Sequence, residues 1–194
     1  MAPITNLAAG VQAFTANAFL VEGDRPVLVD TGANFDIVSR IRTHVDALEA
    51  IVLTHTHPDH VGNVDAVRDA FGVKTWGYDP EQPAVDNPIA DGDSVQLGDH
   101  EYVAVHTPGH KKDHICLYGE APHTLFAGDL VFQNGSFGRT DLPEGDREAL
   151  IESIDRVRSI VGVDLAAMYV GHGPDVLDDP ASHIDLAARM ARSM

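Results

Sequence analysis

The apolar residues Ala50-Ile51-Val52-Leu53 run directly into Thr54-His55-Thr56-His57-Pro58-Asp59-His60. A short unbroken apolar run reads as a strand buried on both faces. The fold must therefore let one strand end deliver three histidines and an aspartate into a single loop. Imidazoles and a carboxylate converging in this way are metal donors, and without a thiolate among them they suit zinc or iron. A structural zinc is usually closed by four protein ligands, often cysteines, whereas this chain has only Cys116.

Around that loop, short β-like runs alternate with helical patterns. Residues 13–21 and 26–30 read as paired strands about a turn at Gly23-Asp24. Phe35, Ile37, Val38, Ile41 and Val45 form a helical stripe, and residues 60–71 a helix turning Val64 and Val67 inward. Residues 94–105 read as a hairpin about Gly98-Asp99, and 114–130 as two strands about Glu120-Ala121-Pro122. Asp146 is placed to cap a helix whose apolar face is Leu150, Ile151, Ile154, Val157 and Val161. A strand at 166–170 and an amphipathic helix at 181–192 complete an α/β (α+β) order of two sheets with outer helices. With 194 residues, 44% of them hydrophobic, one domain over 1–194 is expected.

Further motifs follow the first in a fixed order: His106-Thr107-Pro108-Gly109-His110, Phe126-Ala127-Gly128-Asp129 and Val170-Gly171-His172-Gly173-Pro174, with Val27-Leu28-Val29-Asp30-Thr31-Gly32 upstream. Together with H-x-H-x-D-H they resemble the metallo-β-lactamase superfamily from about Val11 to about Asp175. The likeness is greatest to its glyoxalase II-like hydrolases. The resemblance implies a four-layer αββα sandwich with the metal loops along one edge. It implies two divalent metal ions, zinc or alternatively iron: His55, His57 and His110 on the first, Asp59, His60 and His172 on the second, Asp129 bridging, and Asp30 supporting the loop from behind. Asp59 and Asp129 are then the catalytic carboxylates.

Such ions leave a place for a shared water, whose pKa a bound metal lowers from about 15.7 to about 7. A thiol, with a pKa of about 8.5, departs as a thiolate, whereas an amide nitrogen must be protonated. No side chain outside the cluster reads as a general acid. A small-molecule thioester of the lactoyl-glutathione class is the economical substrate. Lys111, His114 and Arg139 are the candidate substrate contacts. His106 and His114 can instead support the ligands, and Arg139 can instead pair with Asp141 or Asp146. Where the family has TPGHT-x-G-H, this chain carries Lys111 and Asp113 in place of Thr and Gly. Classical glyoxalase II adds a helical domain that helps bind glutathione, and this chain ends soon after His172, so glutathione as the thiol is left open.

Other functions remain in view. The Gly138-Arg139-Thr140-Asp141 segment is similar to that of persulfide dioxygenases, which hold one iron at positions matching His55, His110 and Asp129. A non-catalytic metal-binding protein would not need all seven ligand positions filled. The common lactamase class places Cys where Asp129 stands, which argues against β-lactams. The net charge of −17, from 30 acidic and 13 basic residues, provides no basic stripe for nucleic acid. Aspartate outnumbers glutamate and lysine occurs only at Lys74, Lys111 and Lys112, a balance suited to very high salt, so a halophilic source is expected. No apolar run approaches the roughly 18 residues of a membrane span, and Met1-Ala2-Pro3-Ile4-Thr5 lacks a basic leader region. A cytoplasmic location is expected. His44, His100, His123 and His183 read as surface residues, and Cys116, between Ile115 and Leu117, as a packed thiol.

Overall fold

Residues 3–193 are described by the structure, a computed structural model. Two sheets face each other. The first runs in chain order: β1 Ile4–Asn6, β2 Phe19–Val21, β3 Val27–Val29, β4 Ala50–Val52, β5 Thr75–Gly77 and β6 Asn87–Pro88. The second comprises β7 Ser94–Leu97, β8 His100–His106, β9 Ile115–Gly119, β10 Thr124–Gly128 and β11 Ala167–Val170, in the order β11-β10-β9-β8-β7. β3 to β6 are parallel, as are β10 and β11.

The period-2 alternation of strand side chains assigns each residue to a layer. Leu20, Leu28 and Ile51 lie in register across β2, β3 and β4 and face outward, where helices α1 Ile37–Ile41 and α3 Val64–Phe71 cover them with Ile37, Ile41, Val64 and Val67. Phe19, Val21, Val27, Val29 and Val52 point the other way and meet Leu97, Tyr102, Ala104, Leu117 and Phe126 of the second sheet. That sheet's outer face, with Cys116, Leu125 and Ala127, is closed by α4 Arg147–Ile160 and α5 Pro180–Ser193 through Leu150, Ile154, Val157, Ile184 and Ala187. Burying each large aliphatic side chain contributes about 1.5–3 kcal/mol. A strand apolar on both faces needs cover on both, which helices on one side and the facing sheet on the other supply, so the αββα layering expected from the resemblance is the one found.

Several boundaries differ from the sequence reading. Residues 13–18 do not join β2, because their polar groups reach across to the far edge. The amides of Ala16 and Asn17 donate to the carbonyls of Asp59 and Gly171, and Asn17 Nδ2 to those of Val170 and Gly173. The helix expected over 60–71 is two, α2 Pro58–Val61 and α3, broken where the Asn63 side chain donates to the Thr31 carbonyl. α1 is shorter than the stripe from Phe35 to Val45. Asp36 caps it, and Asp146 caps α4, accepting from the amides of Ser39 and Ala149 at 3.0 Å each. Strands β1, β5 and β6 carry too little pattern to be read in advance.

Cys116 is fully buried, and burial pushes its thiol up to about 12. Disulfide-exchange reagents need the thiolate. The expected outcome is no reaction with Ellman's reagent at pH 8 in native protein and one thiol per chain after unfolding. Rapid native labelling would contradict the packed position.

Candidate metal centre

Strand ends along one edge of the sandwich deliver the candidate ligands. β4 leads into His55 and His57; α2 begins at Pro58 and carries Asp59 and His60. His110 lies between β8 and β9, Asp129 follows β10, and His172 follows β11. The ligand atoms of three overlapping sets lie within 4.8 Å of one another: His55-His57-His110, His55-His60-Asp129 and Asp59-His60-His172.

Distances within the cluster are those of groups converging on shared points. His57 Nδ1 is 2.9 Å from His110 Nε2 and 3.1 Å from His55 Nε2. On the other side His172 Nε2 is 3.0 Å from Asp59 Oδ2. Asp129 reaches both: Oδ1 is 3.4 Å from His60 Nε2, while Oδ2 is 3.3 Å from His110 Nε2 and 3.5 Å from His172 Nε2.

Outer hydrogen bonds aim the rings inward. Asp30 Oδ2 accepts from His60 Nδ1 at 2.8 Å and from Thr54 Oγ1 at 2.7 Å, and its Oδ1 accepts from the Thr54 amide at 2.8 Å. His60 is thereby committed to Nδ1–H and presents Nε2 to the centre. His110 Nδ1 donates to the Arg139 carbonyl at 2.8 Å, with the same result. His114 acts on Asp129: its Nε2 accepts from the Asp129 amide at 3.0 Å, and its Nδ1 meets Thr107 Oγ1 at 2.8 Å. Two glycines make room. A Cβ on Gly128, whose φ is +48°, would lie 2.5 Å from His114 Nε2, and one on Gly171 only 2.0 Å from Asp129 Oδ1.

The electrostatics keep two of the imidazoles neutral and draw positive charge to the space between the carboxylates. Burial, with the neighbouring imidazoles adding to it, holds His55 well below the ordinary imidazole range, and burial shifts His57 the same way. For His60, burial is outweighed by Asp30 and Asp129 on either side, which hold it well above that range. Burial opposes ionisation of Asp129 too, yet the charges of His60, His172 and His110 hold it far below the usual carboxylate range. His60 Nε2 and Asp129 Oδ1 are buried without a hydrogen-bond partner. Buried polar atoms left in that condition are rare. A divalent cation satisfies both at once, so the donor set fits a metal, and its imidazole-carboxylate chemistry admits zinc or iron.

A cavity of about 920 Å³ opens over the cluster, walled by Phe14, Phe132, Phe137 and Leu142 among others. The three candidate substrate contacts fare differently. His114 is fully buried and does not line the cavity. Burial pushes it down to about 3, and it supports Asp129 instead of meeting substrate, which corrects the expectation. Lys111 and Arg139 do line the cavity. Lys111 Nζ lies 3.3 Å from both Asp113 and Glu144, and Arg139 grips Asp141 with two bonds of 2.9 and 2.8 Å, while Asp146 is occupied as the cap of α4. His106 stacks on Tyr78, with ring centroids 3.8 Å apart, outside the cluster. Sequence reasoning missed Phe14, whose ring lies 6.3 Å from that of His172. Nothing local in its segment marks it.

Residues 11–172 match the family model described as "Metallo-beta-lactamase superfamily". Hydroxyacylglutathione hydrolase GloC of Haemophilus influenzae is 32% identical over 188 residues, covering 84% of this chain and 88% of its own. The hydroxyacylglutathione hydrolase of Aliivibrio fischeri is 34% identical over 75% of this chain, which spans 56% of that protein's length. Among solved structures, TTHA1623 in a di-iron-bound form has a TM-score of 0.77 at 28% identity, covering 96% of this chain and 97% of its own. The BLEG-1 B3 metallo-beta-lactamase has a TM-score of 0.78 at 27% identity, covering 98% and 96%.

Proposed function

Because this chain belongs to the metallo-beta-lactamase superfamily and resembles glyoxalase II within it, we propose that it is a binuclear metallohydrolase acting on thioesters of the 2-hydroxyacyl class. The position of Asp129 carries this reading: a single buried carboxylate lies within 3.5 Å of histidine nitrogens on both sides of the cluster. His55, His57 and His110 would hold one cation and Asp59, His60 and His172 the other, with Asp129 shared. A similar protein, TTHA1623, was solved with two irons. We take zinc as the resident metal here, because the proposed reaction needs no redox change.

When bound, two such cations supply Lewis acidity, making water nucleophilic near neutral pH and polarising the carbonyl. The protein's part is positional. Asp30 and the Arg139 carbonyl fix the His60 and His110 rings, and His114 fixes the Asp129 backbone. Asp59, half-buried at the cavity wall, orients the attacking water. Burial raises its pKa, but the hydrogen bond from His172 and the charge of His60 outweigh that, so it stays ionised. Water adds its oxygen to the acyl carbon, the carbon–sulfur bond breaks, and the products are a hydroxy acid and a thiol. A thiolate with a pKa of about 8.5 needs no protonation to leave. This suits a cavity whose two cationic side chains, among the described residues, are both ion-paired. We place the enzyme in the cytoplasm of a salt-rich cell, in keeping with its acidic composition.

Zinc-loaded protein is expected to cleave lactoyl-glutathione under anaerobic conditions. His172→Ala should reduce that rate by at least about 100-fold, beyond the usual cost of losing a metal's supporting partner. If anaerobic cleavage is absent, while glutathione persulfide drives oxygen uptake that survives His172→Ala, the chain is a mono-iron persulfide dioxygenase. The likeness to BLEG-1 favours one further assay, nitrocefin turnover, which would move the substrate to β-lactams.

A further inference from the structure

The cavity above the cluster has a consistent chemistry. Phe14, Phe132, Phe137, Leu142, Pro143 and Pro174 supply apolar wall. Phe14 is 76% exposed. Together with the other apolar residues of the wall, it offers a ligand apolar surface beside the polar cluster. The two cationic side chains of the wall are both ion-paired. Lys111 is 6% exposed and lies between Asp113 and Glu144, and Arg139 is held at both ends of its fork by Asp141. Among the side chains of the wall, both cationic groups therefore already have carboxylate partners. A carboxylate-bearing or phosphate-bearing carrier would exchange with Asp141 at Arg139, in a pair open to solvent, or approach Glu144.

The aromatic rings also indicate which half of the substrate they meet. Phe14 and Phe132 lie beside His172, each with its ring centroid 6.3 Å away, Phe14 nearly parallel to it at 22° and Phe132 inclined at 59°. The imidazoles His55, His57 and His110 form a separate group, whose His110 meets the same Asp129 oxygen as His172, at 3.3 Å against 3.5 Å. With the acyl carbon over Asp129 and its oxygen toward that group, the departing sulfur is left on the His172 side, where both rings lie. We propose that the thiol half of the substrate is an uncharged apolar group, benzyl or branched alkyl in kind, seated between Phe14 and Phe132. This rests on the thioester reading above and narrows it, separating the chain from enzymes that hold a charged tripeptide thiol.

Two thioethers lacking the carbonyl, 2-hydroxypropyl benzyl sulfide and S-(2-hydroxypropyl)glutathione, test the site by calorimetry on metal-free protein, and the matching lactoyl thioesters test it by turnover on zinc-loaded protein. The benzyl compound should bind at least about ten-fold more tightly, since a buried phenyl ring contributes that much or more. Phe14→Ala and Phe132→Ala should each weaken it several-fold and leave glutathione thioether binding unchanged. Phe14 is exposed, so its removal does not threaten the fold. Turnover per unit KM should favour the benzyl thioester by a similar factor. Equal or tighter binding of the glutathione thioether, or a preference indifferent to both substitutions, overturns the proposal. If the binding preference holds but zinc-loaded protein cleaves neither thioester, the apolar site stands and the thioesterase reading fails.

Discussion

Asp129→Ala is expected to lose both cations' normal occupancy and to lower hydrolysis by on the order of 10³-fold or more, well beyond the ten- to hundred-fold typical of a supporting residue. The reason is geometric. Each triad of the cluster has partners of its own, but only Asp129 places one oxygen by His60 and the other by His110 and His172. Alanine removes the anion that balances those imidazoles and leaves His60 Nε2 facing an apolar methyl group. The surrounding frame does not depend on that carboxylate, because the Asp129 amide still reaches His114 Nε2. Elemental analysis and circular dichroism should therefore diverge, with metal lost and secondary structure kept. A variant that retains two metals per chain would refute the shared-ligand role.

Asp30 is the second position of large effect, and two substitutions separate its duties. Its carboxylate is 3% exposed and accepts three hydrogen bonds, from the Thr54 amide, Thr54 Oγ1 and His60 Nδ1. Asp30→Ala strands those donors in the interior, at a cost of about 3–5 kcal/mol. For a chain of this size that is a fall in Tm of roughly 10 °C. Alanine also fits poorly at a φ of 56°, which asparagine tolerates. Asp30→Asn keeps the shape and one acceptor, so it should cost much less stability. Turned toward His60, its amide donates where the carboxylate accepted. The imidazole must then place its proton on Nε2, and that nitrogen no longer faces the centre as a ligand. The expected result is a near-normal melting curve with metal affinity lowered by about 10–100-fold. Full metal affinity in Asp30→Asn would show that the orientation of His60 does not depend on this contact.

Apolar periodicity and polar punctuation made much of the architecture readable in advance. The run Ala50 to Leu53 had to be a buried strand, Gly98-Asp99 had to turn a hairpin, and Asp146 had to start a helix, because each follows from side-chain period or backbone capping within a few residues. The cluster at His55 to His60 marked a metal site by its residue types, and the spaced motifs around His110, Asp129 and His172 named the remaining ligand candidates through their resemblance to the metallo-β-lactamase superfamily. Local sequence has no access to contacts made across the sandwich. It does not say that residues 13–18 leave the sheet to bond with the loops at Asp59 and Gly171, or that Asn63 breaks a helix by reaching Thr31. Nor could it decide among the roles open to Lys111, His114 and Arg139. All three carry plausible polar groups, and only packing shows His114 buried behind Asp129 and both cations neutralised by neighbouring carboxylates. Residue type and spacing determined which atoms are available for chemistry; tertiary structure decided which of them face one another, because burial and hydrogen-bond direction depend on neighbours distant in the chain.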